Sequence, residues 1–244
     1  MAPGGIFDLY AEFLIYIPGF FAAGGGALPT RHPTNKNRAE DMMKTWLLTI
    51  SVATALVSGG ASAAGDPAAG APKAAVCIAC HGPAGNSLVP TWPKLAGQHP
   101  EYIYKQLMDF KGGARANEQM SPQVIPLNEQ DFQDLAAYFS AQQQTPGTAD
   151  PDLVELGERV YRGGNPATGV AACTGCHGPA GTGVGPAKFP RLSGQHAQYV
   201  DQTLKYFRDS ARANDPNGMM RGVAARMTDQ EIAAVSQYIQ GLSQ

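Results

Sequence analysis

Charge is sparse and balanced in this chain. Asp, Glu, Lys and Arg make up 16% of its 244 residues, and the formal net charge is −2. With neither a basic excess nor a long run of like charge, no nucleic-acid partner is expected. Alternating apolar and polar segments are also missing, so no sheet is expected. The apolar run from Thr45 to Val57 is short for a membrane-spanning helix. Cysteine occurs four times, always within two short segments. At 43% hydrophobic the chain has a globular composition, and its length allows one or two domains.

The two cysteine segments are Cys77-Ile78-Ala79-Cys80-His81 and Cys173-Thr174-Gly175-Cys176-His177, each followed by Gly-Pro-Ala-Gly. Both have the form C-x-x-C-H, the attachment signature of c-type haem. At this spacing two thiols can each form a thioether to one vinyl edge of a porphyrin. His81 or His177 then lies under the iron. Three other uses of such cysteines predict different surroundings. A redox dithiol expects a strand–helix–strand setting. Zinc needs four ligands, where each segment offers three close ones. A disulfide at this spacing would be tight and strained. The reading is therefore two haem c groups, held through Cys77, Cys80, Cys173 and Cys176, with His81 and His177 on the irons.

Upstream, Met43-Lys44, the apolar run to Val57 and Ala61-Ser62-Ala63 read as a secretory signal over residues 42–63, cleaved between Ala63 and Ala64. An uncleaved anchor is the alternative. Residues 1–41 then read as a non-native or mis-started extension, with Met42 or Met43 as the true start. A second apolar anchor from Ile6 to Phe21 is interrupted by Asp8, Glu12 and Pro18. Export to the periplasm agrees with covalent haem attachment, which belongs outside the cytoplasm.

The remainder is one unit used twice. Pro93-Lys94-Leu95-Ala96-Gly97-Gln98-His99 matches Pro190-Arg191-Leu192-Ser193-Gly194-Gln195-His196 at an offset of 97, as do Tyr102 and Tyr199, Phe110 and Phe207, and Arg115 and Arg212. From Leu127, which faces Met227, the offset becomes 100, through three residues inserted after Asn214. Domain 1 is assigned to 64–146 and domain 2 to 147–244, with Thr145 to Thr148 as the linker. Each unit is expected to be all-α. Opening helices are placed at 66–76 and 152–161, middle helices at 99–111 and 196–209, and closing helices at 128–142 and 228–241. Asn128 and Thr228 suit N-caps, and Glu231 completes a capping box. Phe132, Leu135 and Phe139, like Ile232, Val235 and Ile239, recur at helical spacing as core stripes.

A second axial ligand must come from later in each unit. Met120 lies in a polar loop seven residues before Leu127, and seven back from Met227 is Met220. The repeat thus pairs Met120 with Met220 as iron ligands and leaves Met219 as a neighbour. Met108 and Met227 are read as core. His99 and His196 are competing ligands, with capping or a surface hydrogen bond as their other role. The carbonyls of Pro93 and Pro190 are candidates to accept the free N–H of the ligating histidines; a simple turn is the alternative. Trp92 and Phe189 are expected along the haem crevice. Arg115 and Arg212 are either propionate partners or solvated.

C-x-x-C-H, then P-x-L-x-G, then a loop methionine and a closing helix resembles class I cytochrome c. Two such units in tandem, with Pro-Lys-Leu-Ala-Gly-Gln and Met-Arg-Gly-Val-Ala-Ala, resemble the dihaem cytochrome c4 family over 64–244. The resemblance implies Cys77, Cys80, His81 and Met120 for one haem, and Cys173, Cys176, His177 and Met220 for the other. Pro93 and Pro190 become acceptors for the histidine N–H. It also implies domains related by a pseudo-twofold, propionate edges meeting between them, and an electron carrier rather than an enzyme. Redox partners would be a membrane terminal oxidase and an upstream quinol-oxidising complex, with peripheral membrane association open. The rivals are the dihaem subunit of a flavocytochrome sulfide dehydrogenase and a dihaem peroxidase, the latter needing an open iron. With 5 basic against 7 acidic residues in domain 1, and 9 against 9 in domain 2, no docking face is marked by charge.

Overall fold

The computed structural model describes residues 65–243. The readings for the signal segment, the extension and the start codon lie outside these residues. Among the described residues ten helices account for the regular structure, beside two isolated bridges and two short 3₁₀ turns. Domain 1 contains α1 (Pro67–Lys73), α2 (Ala75–His81), α3 (Pro100–Lys111), α4 (Ser121–Val124) and α5 (Glu129–Ser140). Domain 2 contains α6 (Pro151–Gly163), α7 (Thr174–His177), α8 (Ala197–Arg208), α9 (Met219–Ala224) and α10 (Asp229–Gly241). Residues 143–150, between α5 and α6, have no regular structure. No described helix is long and apolar enough to cross a membrane.

Helix starts follow from local chemistry. Asp66 and Asp150 cap α1 and α6 by accepting the amides of Ala68 and Asp152, and each is followed by proline, whose missing N–H costs nothing there. Asn128 and Thr228 head full capping boxes with Asp131 and Glu231. In both domains the closing helix crosses the opening one and packs on the middle one. Phe132, Leu135 and Phe139 of α5, like Ile232, Val235 and Ile239 of α10, are at most 2% exposed. At the two crossings the helices meet through Gly70 and Gly157, which lie against the backbone carbonyls of Asp134 and Ala234.

Two expectations need correction. The opening helix of domain 1 is not continuous over 66–76. Pro72 removes an amide near its end, the turn closes at Ala74, and α2 starts afresh at Ala75 with the first cysteine motif on it. Met108 is not core but 39% exposed. Ile103, Gln106 and Phe110 set the inner face of α3, and position 108 points the other way at 100° per residue. In domain 2 the three-residue insertion forms the 3₁₀ turn Pro216–Gly218 that leads into α9.

A buried carboxylate ties the ends of domain 1 together. Asp134 accepts from Lys73 Nζ (2.6 Å), the Asp66 amide (2.9 Å) and Gln130 Nε2 (2.9 Å). These partners, the ammonium first, lower its pKa to about 2. A carboxylate depressed in this way stabilises the fold above its ordinary value of about 4 and loses that contribution as pH falls towards 2. Acid unfolding followed by circular dichroism should therefore steepen between about pH 4 and pH 2. Asp134→Asn should flatten that part of the curve; an unchanged curve would remove Asp134 from the acid response. At the matching position of domain 2 stands Ala234, so this acid-sensitive tie belongs to domain 1.

The two domains meet through exchanged contacts. His99 Nε2 donates to Thr182 O (2.7 Å), and His196 Nε2 donates to Ser87 O (2.8 Å). Arg115 donates to the Tyr199 hydroxyl (3.2 Å), and Arg212 to the Tyr102 hydroxyl (3.0 Å). Each interaction has its counterpart running the opposite way, as a pseudo-twofold requires.

Candidate haem sites

In α2 the residues Cys77, Cys80 and His81 stand at i, i+3 and i+4, so all three share one helix face. In domain 2, α7 provides Cys176 and His177, with Cys173 at its N-cap. In each pair the first thiol is half-buried and the second exposed, and all four are free. Burial pushes the Cys77 thiol up and the Cys173 thiol up to about 11. They are thus apolar thiols rather than the reactive thiolates of a redox dithiol. No group of three or more His, Cys, Asp or Glu side chains placed to hold a metal ion occurs among the described residues.

Both motif histidines are buried, at 6% exposure each. His81 Nδ1 is 2.9 Å from the Pro93 carbonyl, and His177 Nδ1 is 2.9 Å from that of Pro190. A carbonyl only accepts, so Nδ1 carries the proton and Nε2 keeps its lone pair. Burial lowers the pKa of both rings, although the carbonyl bond opposes it, and so favours the neutral imidazole a metal requires. The Phe189 ring lies 6.4 Å from that of His177, and Trp92 is half-buried after the first motif.

The methionines approach from elsewhere in each core. Domain 1 has two apolar clusters. One gathers Ala74, Ile103, Leu135, Ala136 and Phe139, with Cys77 and Leu95 against it. The other gathers Phe110, Val124 and Phe132, with Met120 against it. Tyr104, Leu107 and Leu127 touch both. In domain 2 a single cluster around Tyr161, Val235 and Ile239 has Cys173, Leu192 and Met220 packed against it. Met219 is 42% exposed and Met227 is 4% exposed, which separates the three neighbouring methionines by burial.

Each unit thus supplies two thiols on one face, a neutral imidazole with a free nitrogen, and a half-buried thioether at the core. That donor set fits a covalently tethered haem: the thiols tether, the imidazole ligates, and the apolar clusters exclude water.

His99 and His196 stand at the N-cap positions of α3 and α8 without a capping side-chain bond; half-buried, each gives its Nε2 hydrogen bond to the other domain's backbone instead. Arg212 is not solvated. It is 7% exposed and bonds Tyr102, Gln106 and Asn214 while stacking over the Phe207 ring. Arg115 stacks over Phe110 in the same manner. Burial would raise the pKa of Tyr199, but these two arginines outweigh it and hold it at about 8. Sequence reasoning missed Gln98 and Gln195, which reach across the boundary to the other domain's backbone. The available signal was their shared place after P-x-L-x-G in both units.

Comparison with known proteins agrees with this arrangement. The cytochrome c family model matches residues 68–143 and 154–243. A cytochrome c4 of Thiocapsa roseopersicina is 70% identical over 182 residues, covering 74% of this chain and 94% of that protein. A thiosulfate dehydrogenase electron acceptor of Thiomonas intermedia is 40% identical over 177 residues, covering 70% of this chain and 81% of that protein. The crystal structure of reduced recombinant cytochrome c4 from Pseudomonas stutzeri superposes with a TM-score of 0.72 at 48% identity, covering 74% of this chain and all of that one.

Proposed function

The chain belongs to the cytochrome c4 family, and from that premise we propose that it carries electrons in the periplasm from a quinol-oxidising complex towards a membrane terminal oxidase. It is a dihaem electron carrier and not an enzyme. Cys77 and Cys80 hold one haem c, and Cys173 and Cys176 the other. Bound haem c supplies a one-electron iron couple. The chain's own residues decide how that couple is used.

His81 and Met120 would hold the iron of the first haem, and His177 and Met220 that of the second. Pro93 and Pro190 receive the Nδ1–H of the histidines, fix their tautomer and orient their Nε2 atoms. Held between thioether and imidazole, the iron would be left no position for substrate, and this donor pair would favour a raised potential. The observation that supports this reading most is the duplication itself. Two buried histidines, each held by a proline carbonyl at 2.9 Å, recur with a core-packed methionine in register.

A redox titration followed optically tests the ligand assignment. Two one-electron steps are expected. Met120→His should lower one midpoint and Met220→His the other, because exchange of thioether for imidazole favours ferric iron. If neither variant moves a midpoint, these methionines are not ligands. The route is tested by mixing the reduced protein with native membranes: oxygen-dependent oxidation is expected, and its absence would count against an oxidase as acceptor.

A second donor is supported by the 40% identity to a thiosulfate dehydrogenase electron acceptor. Reduction of the oxidised protein by such a dehydrogenase with thiosulfate would favour it.

A further inference from the structure

Each domain reaches into the other at one particular peptide group. The carbonyl of Pro93 accepts the N–H of His81, and the amide of Lys94 is the other end of that same peptide. This amide donates to Gln195 Oε1 of domain 2 at 2.9 Å, while Gln195 Nε2 donates to Lys94 O at 2.9 Å. The mirror arrangement is present in full. Pro190 O accepts from His177, the Arg191 amide donates to Gln98 Oε1 at 2.8 Å, and Gln98 Nε2 donates to Arg191 O at 3.0 Å. Gln98 is 7% exposed and Gln195 is 6% exposed, so neither amide is diluted by solvent.

We infer that Gln195 is a positioning residue for His81, and Gln98 for His177, each setting the basicity of the other domain's axial histidine through one shared peptide. The inference rests on His81 and His177 being the axial ligands. An acceptor at the N–H end of a peptide polarises it and makes its carbonyl a stronger acceptor, an effect that grows in a low-dielectric interior. The stronger carbonyl draws the Nδ1 proton and makes Nε2 a better donor to the iron, which favours the ferric state. Removal of the glutamine acceptor should therefore raise the midpoint of the haem in the opposite domain. The neighbouring contacts His99–Thr182 and His196–Ser87 hold the two glutamine-bearing turns against the partner domain. The seating of the domains is thus communicated to both irons.

The glutamines also tie the domains together, so the test must separate tuning from stapling. The holoprotein and its Gln195→Met and Gln98→Met variants are titrated, with haem resonances of each domain followed by paramagnetic proton NMR. The unsubstituted spectrum is recorded first. Should it lack His/Met ligation, the ligand assignment fails rather than the relay. With that ligation present, Gln195→Met should raise the midpoint of the haem on Cys77 and Cys80 and leave the other unchanged. Gln98→Met should do the reverse. Gln195→Glu and Gln98→Glu keep an acceptor for the amide and should produce no rise; they retain the test if a methionine variant does not assemble. Equal shifts at both haems, a shift in the substituted residue's own domain, or no shift at all would overturn the inference.

Discussion

A chain with Cys77, Cys80, Cys173 and Cys176 all replaced by alanine should not reach the described fold. Its far-ultraviolet circular dichroism should be that of a largely unfolded chain, with no cooperative melt. The reason is the size of the cores. In domain 1 the buried apolar residues divide between a group around Phe139 and a group around Phe132, joined by only partly buried side chains. The helices are short: α2 has 7 residues and α4 has 4. Domains this small bury too little surface to offset chain entropy without a staple or a bound group. Half-buried Cys77, Cys173, Met120 and Met220 pack at these cores, so the tethered haem supplies apolar contact where the protein supplies little. Native-like helicity and a sharp melt in the substituted chain would show that the polypeptide alone specifies the fold.

The second large effect is expected at the helix crossings. A methyl group on Gly157 would stand 2.2 Å from the Ala234 carbonyl oxygen, and one on Gly70 the same distance from that of Asp134. Tyr238 Cβ at 2.7 Å and Tyr138 Cβ at 2.8 Å close the other side. Glycine to alanine inside a helix ordinarily gains up to about 1 kcal/mol. Here the sign reverses, because both helices are backbone at the contact and neither can yield alone. Gly157→Ala and Gly70→Ala should each cost about 3 kcal/mol or more by denaturant unfolding of the holoprotein. Gly163→Ala, in the same α6 with nothing within 4 Å of the added methyl, is the control and should be neutral or slightly stabilising. Equal effects at positions 157 and 163 would refute the crossing argument.

Much of this was legible in the sequence because it is local or repeated. Asn128 and Thr228 announce their helices by side-chain chemistry. Phe132 to Phe139 and Ile232 to Ile239 display the core by spacing. The register of Met120 with Met220 singles out one methionine of a neighbouring pair. What was illegible depends on faces and on the other domain. Met108 reads as core from its place inside the middle helix, but the direction of its helix face is set by Ile103 and Phe110. A break at Ala74 turns on the loss of one amide at Pro72. The environment of Arg212, and the roles of His99, His196, Gln98 and Gln195, depend on residues about a hundred positions away. Only the doubled P-x-L-x-G-Q-H motif hinted that these side chains face each other.

We propose that each iron is closed on both sides, by an imidazole next to its tether and by a thioether from a distant helix or turn. Exposure of the reduced native protein to carbon monoxide tests it most directly. An unchanged optical spectrum is expected at both haems; rapid formation of a carbonyl complex at either one would show an open iron position and refute the two-sided closure.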